Sequence, residues 1–194
     1  MNAQEYKEMV IRTEVGTLRD HSKIVHALVG MNGEAGECVD IIKKTLFQGH
    51  SLDRDHLLSE LGDVCWYTML LISELNLELK PIFDETTHHR ILNPFCEAWD
   101  GSDKEYIDNT YGLDYILDLN RNCGDAYGIV KYWRGNTNVN IIPTLRNIFY
   151  NIRMTANIFG FELEDIFNIN DQKIKSRYPK GFSCEKSINR NDSF

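Results

Sequence analysis

Apolar positions recur at helical spacing along most of the chain, and convincing strand alternation is absent. The pattern predicts a first helix over about Ala3 to Val15 and a second over about Ser22 to Phe47. Gly49-His50-Ser51 breaks the second, and Asp53 stands where an N-cap would open a third, about Arg54 to Leu75. Asn76 ends that helix. A short fourth begins near Glu78, with Pro81 tolerated in its first turn. Helical stretches follow over Lys104 to Trp133, Ile142 to Phe159 and Leu163 to Arg177, and the polar run from Ser183 to Phe194 reads as a tail. The expected fold class is all-α.

The two halves repeat one plan. LNLELKPIFD (Leu75 to Asp84) aligns with FGFELEDIFN (Phe159 to Asn168) at an offset of 84, with Glu, Leu, Ile and Phe matching in place. The same offset sets Gly160 at the place of Asn76, Leu145 at that of Leu61 and Ile148 at that of Val64. Upstream, ECVDIIKK resembles DAYGIVKY at a slightly different offset. This self-similarity predicts a duplicated helical unit within one compact body, residues 1–92 and 93–178, closed by residues 179–194. Two amphipathic helix–turn–helix units that are alike by chance give the same pattern.

The length of 194 residues suffices for a core without staples. A net charge of −8 disfavours duplex nucleic acid and anionic membranes, whose binding needs concentrated Lys and Arg. A small phosphorylated ligand would then need cations between it and the protein. Five cysteines, with none at C-x-x-C spacing, read as reduced thiols of a cytoplasmic protein. The polar N-terminus has no signal-peptide pattern, and the apolar-rich run around Val64 to Ile72 is too short to span a bilayer.

Glu34 and Glu37, and again Glu60 and Asp63, are i, i+3 pairs, so each pair shares one helix face. By itself that describes most solvated helix surfaces. The surroundings differ here. Ala27, Gly30, Glu34, Glu37 and Ile41 keep the 3-4-3-4 spacing of a packed seam. Glu60 and Asp63 project with Leu57, Val64, Tyr67 and Leu71. Four inward acids on facing helices are costly unless protonated, paired with Lys or Arg, or bridged by divalent cations. Oxygen-only donors suit magnesium or manganese, and helical bundles build metal sites this way. Gly30, Gly33 and Gly36 add a helix interior unfavourable by ~1 kcal/mol per glycine, which close approach of a helix or ligand would explain.

GEAGECVDIIKK followed by ELGDVCWY resembles the E-x-x-E, spacer, E-x-x-D signature of MazG-like nucleotide pyrophosphohydrolases. LFQGH and Arg12-Thr13 look familiar in the same context. Asn170, Lys173, Arg177-Tyr178-Pro179 and Gly181-Phe182, continued by Ser187 and Arg190, are similar to that family's closing motif. The match covers residues 1 to about 85 and 160 to 190. It implies a MazG-like helical bundle that cuts a nucleoside triphosphate, a dNTP above all, to monophosphate and pyrophosphate. It implies magnesium (or manganese) on Glu34, Glu37, Glu60 and Asp63, phosphate contacts from Lys173, Arg177 and Tyr178 with Asn170 beside them, and a homodimer. Lys43, Lys44 and His50 are weaker candidates near the same mouth, and a solvated basic helix end explains the two lysines equally well.

The chain departs from that pattern by about 80 residues between the acids and the closing motif. Thr144 and Asn147 occupy the places of Glu60 and Asp63, and Arg121 and Gly124 fall near those of Glu34 and Glu37. The expected arrangement is therefore a fused pseudo-dimer whose second half has lost its acids. In the implied mechanism a metal-activated water attacks the α-phosphorus, with one acid, for instance Glu37, orienting or deprotonating it. Lys173 and Arg177 steady the leaving phosphates, and Trp66, Tyr67, Trp133 and Tyr150 are candidates to wall the base, or plain core aromatics. The competing expectations are the same cut on a modified nucleotide or phosphoribosyl-ATP, and a non-catalytic helical interaction protein stabilised by a cation.

Overall fold

The computed structural model describes residues 1–14, 20–83, 112–133 and 140–178, all helix or connecting turn. The helices among them are α1 (Ala3–Thr13), α2 (Asp20–Gln48), α3 (Arg54–Glu74), α4 (Lys80–Phe83), α5 (Gly112–Trp133), α6 (Ile142–Ile158) and α7 (Leu163–Arg177). The fold is all-α, as the periodicity requires. Predicted helix over 104–111, and the closing residues Pro179, Gly181, Phe182, Ser187 and Arg190, lie outside the described residues.

Local chemistry fixes the ends. Asn2 caps α1 in a reciprocal box with Glu5, satisfying two helix-end donors at once. The Asp53 carboxylate accepts the His56 N–H at 3.0 Å and starts α3 as expected. Asn76 takes a positive φ of 53° and Gly160 one of 78°, so both halves stop a helix with a left-handed residue. The closures also match: Leu77 N–H donates to Ile72 C=O at 3.0 Å, and Phe161 N–H to Ala156 C=O at 3.1 Å.

α2 packs along α3 on one side and α5 on the other; α5 packs on α6, and α6 meets α3. These four close a ring around the core. α7, which follows α6, lies on α3; α4, which follows α3, lies on α6. α1 covers α3 and α7. Arg146 on α6 donates from Nε to the Pro81 carbonyl at 3.2 Å and ties α4 down.

The buried line of α2 is Ala27, Met31, Ala35, Cys38 and Ile42, and that of α3 is Leu57, Leu61, Val64, Thr68 and Leu71. The predicted α2 seam is therefore rotated. Ala27 and Ile41 are buried and Glu34 is half-buried, but Glu37 is exposed. Alternating steps of three and four admit two neighbouring stripes on one helix, and the bulkier apolar one took the interior. A run of rings crosses the body. Tyr6 stacks on Phe167 at 4.2 Å between centroids, Phe167 meets Phe149 edge-on at 6.3 Å, and Phe149 meets Phe83 at 4.6 Å.

Only one of the three α2 glycines is sterically required. A Cβ on Gly30 would sit 2.3 Å from the Tyr67 ring, whereas one on Gly33 or Gly36 meets nothing within 4 Å. Gly30→Ala gains ~1 kcal/mol of helix propensity against an overpacking cost of roughly 1–3 kcal/mol. It is expected to destabilise, while Gly33→Ala stabilises by up to about 1 kcal/mol. Urea unfolding of both variants checks the opposite signs.

Candidate metal centre

The acids lie where α2 and α3 face each other, under α7. One carboxylate oxygen each from Glu34, Glu60 and Asp63 falls within a mutual 4.8 Å, and all three residues are half-buried. The structure brings these three together and leaves Glu37 outside, on the exposed side of α2.

The surrounding donors come mostly from α7. Lys173 Nζ donates to Ser59 Oγ at 2.7 Å and to Asp63 Oδ2, and stands 3.8 Å from Glu60 Oε1. Asn170 Nδ2 donates to Asp63 Oδ1 at 2.7 Å. The Asn170 amide is oriented in turn by Tyr6, whose hydroxyl donates to Asn170 Oδ1 at 2.8 Å and to the Gly62 carbonyl at 3.2 Å. Gly62 permits this approach, because a Cβ there would lie 2.9 Å from the Asn170 Cβ. A polarised chain from Tyr6 through Asn170 thus aims Asp63. His56 Nε2 lies 3.3 Å from Glu60 Oε1.

Three carboxylates with one ammonium leave excess negative charge. Burial pushes the Glu34 carboxyl up to about 8, helped by its hydrogen bond to Glu60 and by the nearby Asp63 charge. Burial also raises Asp63, and the Lys173 ammonium beside it pulls part of that back. This electrostatic state fits a divalent cation. The donors are all oxygen, the charge is uncompensated, and a proton takes up the deficit on Glu34.

A pH dependence follows. The folded protein holds a proton on Glu34 that the unfolded chain releases near the ordinary 4.5. That contribution is complete below pH 4.5 and is lost as pH rises through about 8; Asp63 acts in the same direction. In EDTA, Tm should fall between pH 6 and 9, and magnesium should raise Tm more at pH 9 than at pH 6, because it replaces the proton. Thermal melts of the protein and of Glu34→Gln, in which the fall is smaller, check this. A flat Tm in EDTA contradicts it.

The other candidates separate. Arg177 is exposed at the end of α7, close enough to lower the Asp63 pKa. Tyr178 caps α7 with its N–H on the Ile174 carbonyl at 2.8 Å. Lys43 and Lys44 both pair with Asp40, the latter at 2.7 Å, and hold that carboxyl down at about 2. They serve a surface pair, as a solvated helix end would, and His50 is exposed. Trp66 and Tyr67 meet edge-on at 5.0 Å one turn beyond Asp63. Tyr150 instead faces Tyr115, at 6.3 Å. The Trp133 side chain lies outside the described residues. Ser59, His56 and Tyr6 were not anticipated. His56 and Glu60 are an i, i+4 pair visible in the sequence; Tyr6 reaches Asn170 across 164 positions and leaves no local signal.

Cys38, Cys65 and Cys123 are buried free thiols, raised by burial out of the reactive range. No helix among the described residues is long and apolar enough to cross a membrane. No family model matches the chain. The chain is similar to the Gene 37 protein of Mycobacterium phage L5, 36% identical over 61 residues, which is 29% of this chain and 54% of that protein. The match therefore spans about half of the phage protein. No solved structure matches.

Proposed function

We propose that the chain is a magnesium-dependent pyrophosphohydrolase that converts a nucleoside triphosphate, foremost a dNTP, to the monophosphate and pyrophosphate. The observation that carries this is the three-acid group of Glu34, Glu60 and Asp63, with the half-buried Lys173 held against it by α7. It brings Asn170 and Lys173, from the second of the two motifs that resemble the MazG-like family, against acids of the first. A phage relative is compatible with a role in nucleotide supply, in bacterial or infected-host cytoplasm, and the buried thiols suit a reducing setting.

Glu34, Glu60 and Asp63 would hold the cation, and Mn2+ would substitute for Mg2+. Magnesium, when bound, supplies charge neutralisation on the triphosphate and acidifies water at the site. The reaction forms one bond, from the water oxygen to the α-phosphorus, and breaks the bridge to the β-phosphorus. Glu37 stands exposed one turn from Glu34 and is placed to orient that water and take its proton. Lys173 and Arg177 steady the negative charge that leaves with pyrophosphate.

We further propose that the body is a fused pseudo-dimer and associates with a second copy. The crossed packing supports the fusion: α7 lies on α3 and α4 on α6, as a two-fold relating the halves would require. The matched closures at Asn76 and Gly160 support it too. In the second half, Asn147 Nδ2 donates to Asn122 Oδ1 at 3.5 Å. Aligning ECVDIIKK with DAYGIVKY puts Asn122 at the place of Glu34 and keeps an acid, the exposed Asp125, at that of Glu37. Arg121 points to the surface and pairs with Asp118 and Asp125. Two amides thus stand where two carboxylates stand in the first half, and amides need no cation.

The test is a panel of common NTPs and dNTPs with magnesium, with pyrophosphate and orthophosphate quantified separately. Pyrophosphate from one or a few substrates, abolished by EDTA, is expected. Orthophosphate as the main product overturns the reaction. No turnover of the panel, with magnesium bound, overturns the substrate class and leaves phosphoribosyl-ATP, a modified nucleotide or the non-catalytic protein.

A further inference from the structure

Two buried polar atoms among the described residues have no hydrogen-bond partner, Glu14 Oε1 and His26 Nδ1. Lys23 brings them together: it holds the other Glu14 oxygen and stands one turn before His26 on α2. Glu14 lies close enough to act on the His26 charge, while burial lowers the His26 pKa and keeps the ring neutral near pH 7. The Glu14 side chain is only 8% exposed, and its other oxygen is held by Lys23 Nζ at 2.8 Å. Leaving such atoms unsatisfied costs roughly 1–3 kcal/mol each, so a polar partner, water or ligand, completes them.

The walls beside them are flat rings. The His26 ring meets Tyr67 edge-on at 5.3 Å and Trp66 at 6.3 Å. Trp66 is fixed by its indole N–H, which donates to Thr13 Oγ1 at 3.2 Å. His26, Trp66 and Tyr67 are each half-buried, so this ring cluster reaches the surface. Its position is informative. His26 precedes Glu34 by eight residues on α2, a rise of about 12 Å. Trp66 and Tyr67 follow Asp63 by three and four residues on α3. The cluster lies along the bundle from the acids by the order of distance that a sugar and base extend from an α-phosphate.

We infer that Glu14 and His26 are the polar end of a base subsite, and that Glu14 selects bases carrying an exocyclic amino group (cytosine, adenine or guanine) over thymine and uracil. This assignment rests on the proposed reaction at the acids. The single available carboxylate oxygen is an acceptor only. An amino group at the rim of a base satisfies it. In thymine and uracil the N3–H is recessed between two carbonyl oxygens, which a carboxylate repels. A site whose buried acceptor is left unpaired rejects the wrong ligand strongly.

The experiment is calorimetric titration of the full chain in EDTA with dCMP, dAMP, dGMP and dTMP. This binding readout requires neither the metal nor turnover. At least one amino-bearing monophosphate should bind about tenfold or more tighter than dTMP. Glu14→Gln should reduce that preference about fivefold or more, and Gly33→Ala, at an exposed position whose added Cβ meets nothing, should preserve it. Equal binding of all four, or of none, overturns the inference and leaves an ordered water as the partner of both atoms; the wild-type ranking decides this even if Glu14→Gln does not fold. A preference without pyrophosphate release from any triphosphate keeps the subsite and sinks the reaction. Pyrophosphate release with dTTP turned over as fast as the others does the reverse.

Discussion

Asp63→Asn is expected to lower magnesium-dependent pyrophosphate release by at least ~100-fold. Asp63 is the most engaged of the three acids: Asn170 donates to one of its oxygens and Lys173 to the other. Neutralising it removes a ligand of the proposed cation, whose charge stabilisation is worth several kcal/mol, and each ~1.4 kcal/mol is tenfold in rate. It also sets an amide NH2 against one of two donors. Asn170 is not placed to turn round in response, because its oxygen accepts from Tyr6. Initial rates at saturating magnesium, with calorimetric Mn2+ binding alongside, check this. A variant within threefold of the parent in both would remove Asp63 from the site.

Phe167→Ala is expected to cost ~3–5 kcal/mol of folding stability. Phe167 is 1% exposed and lies between the Tyr6 ring and Phe149, so its loss opens a cavity shared by α1, α6 and α7. The surrounding rings are stiff and collapse poorly into such a space. For a chain of this length the loss corresponds to a fall in Tm of roughly 6–20 °C. It is a large share of an ordinary stability of about 5–15 kcal/mol. Asn170 lies three residues further along α7, so affinity for Mn2+ should fall with stability. A Tm within 3 °C of the parent would contradict the ring ladder as a structural spine.

Helix positions were legible because periodicity, caps and stops agree locally. Asp53, Asn76 and Gly160 each act through their own neighbours in the chain, and the structure uses them as the sequence implied. The gathering of Glu34, Glu60 and Asp63 was also legible, since i, i+3 acids among apolar positions have few places to go. Glu37 was not. Its spacing fits a seam, but Met31, Ala35 and Cys38 outweigh that stripe for the interior. The glycine cluster misled in the same way: contact with Tyr67 decides Gly30, while Gly33 and Gly36 meet nothing. Tyr6, and the cluster of Glu14 and His26, depend on chain segments far apart in sequence, where pattern carries no information.

The crossed packing of α4 and α7 would give the second half of the proposed fusion a purpose without a matching acid cluster. It delivers Asn170 and Lys173 onto Asp63 of α3, so in the proposed fusion a half without the acid cluster would complete the half that carries it.

The most direct measurement of the central claim is turnover of an equimolar dNTP mixture with magnesium in 18O-enriched water, with both products weighed by mass spectrometry. Attack at the α-phosphorus predicts one 18O in the nucleoside monophosphate and none in pyrophosphate. Label in pyrophosphate, or a labelled orthophosphate beside a diphosphate, would contradict it.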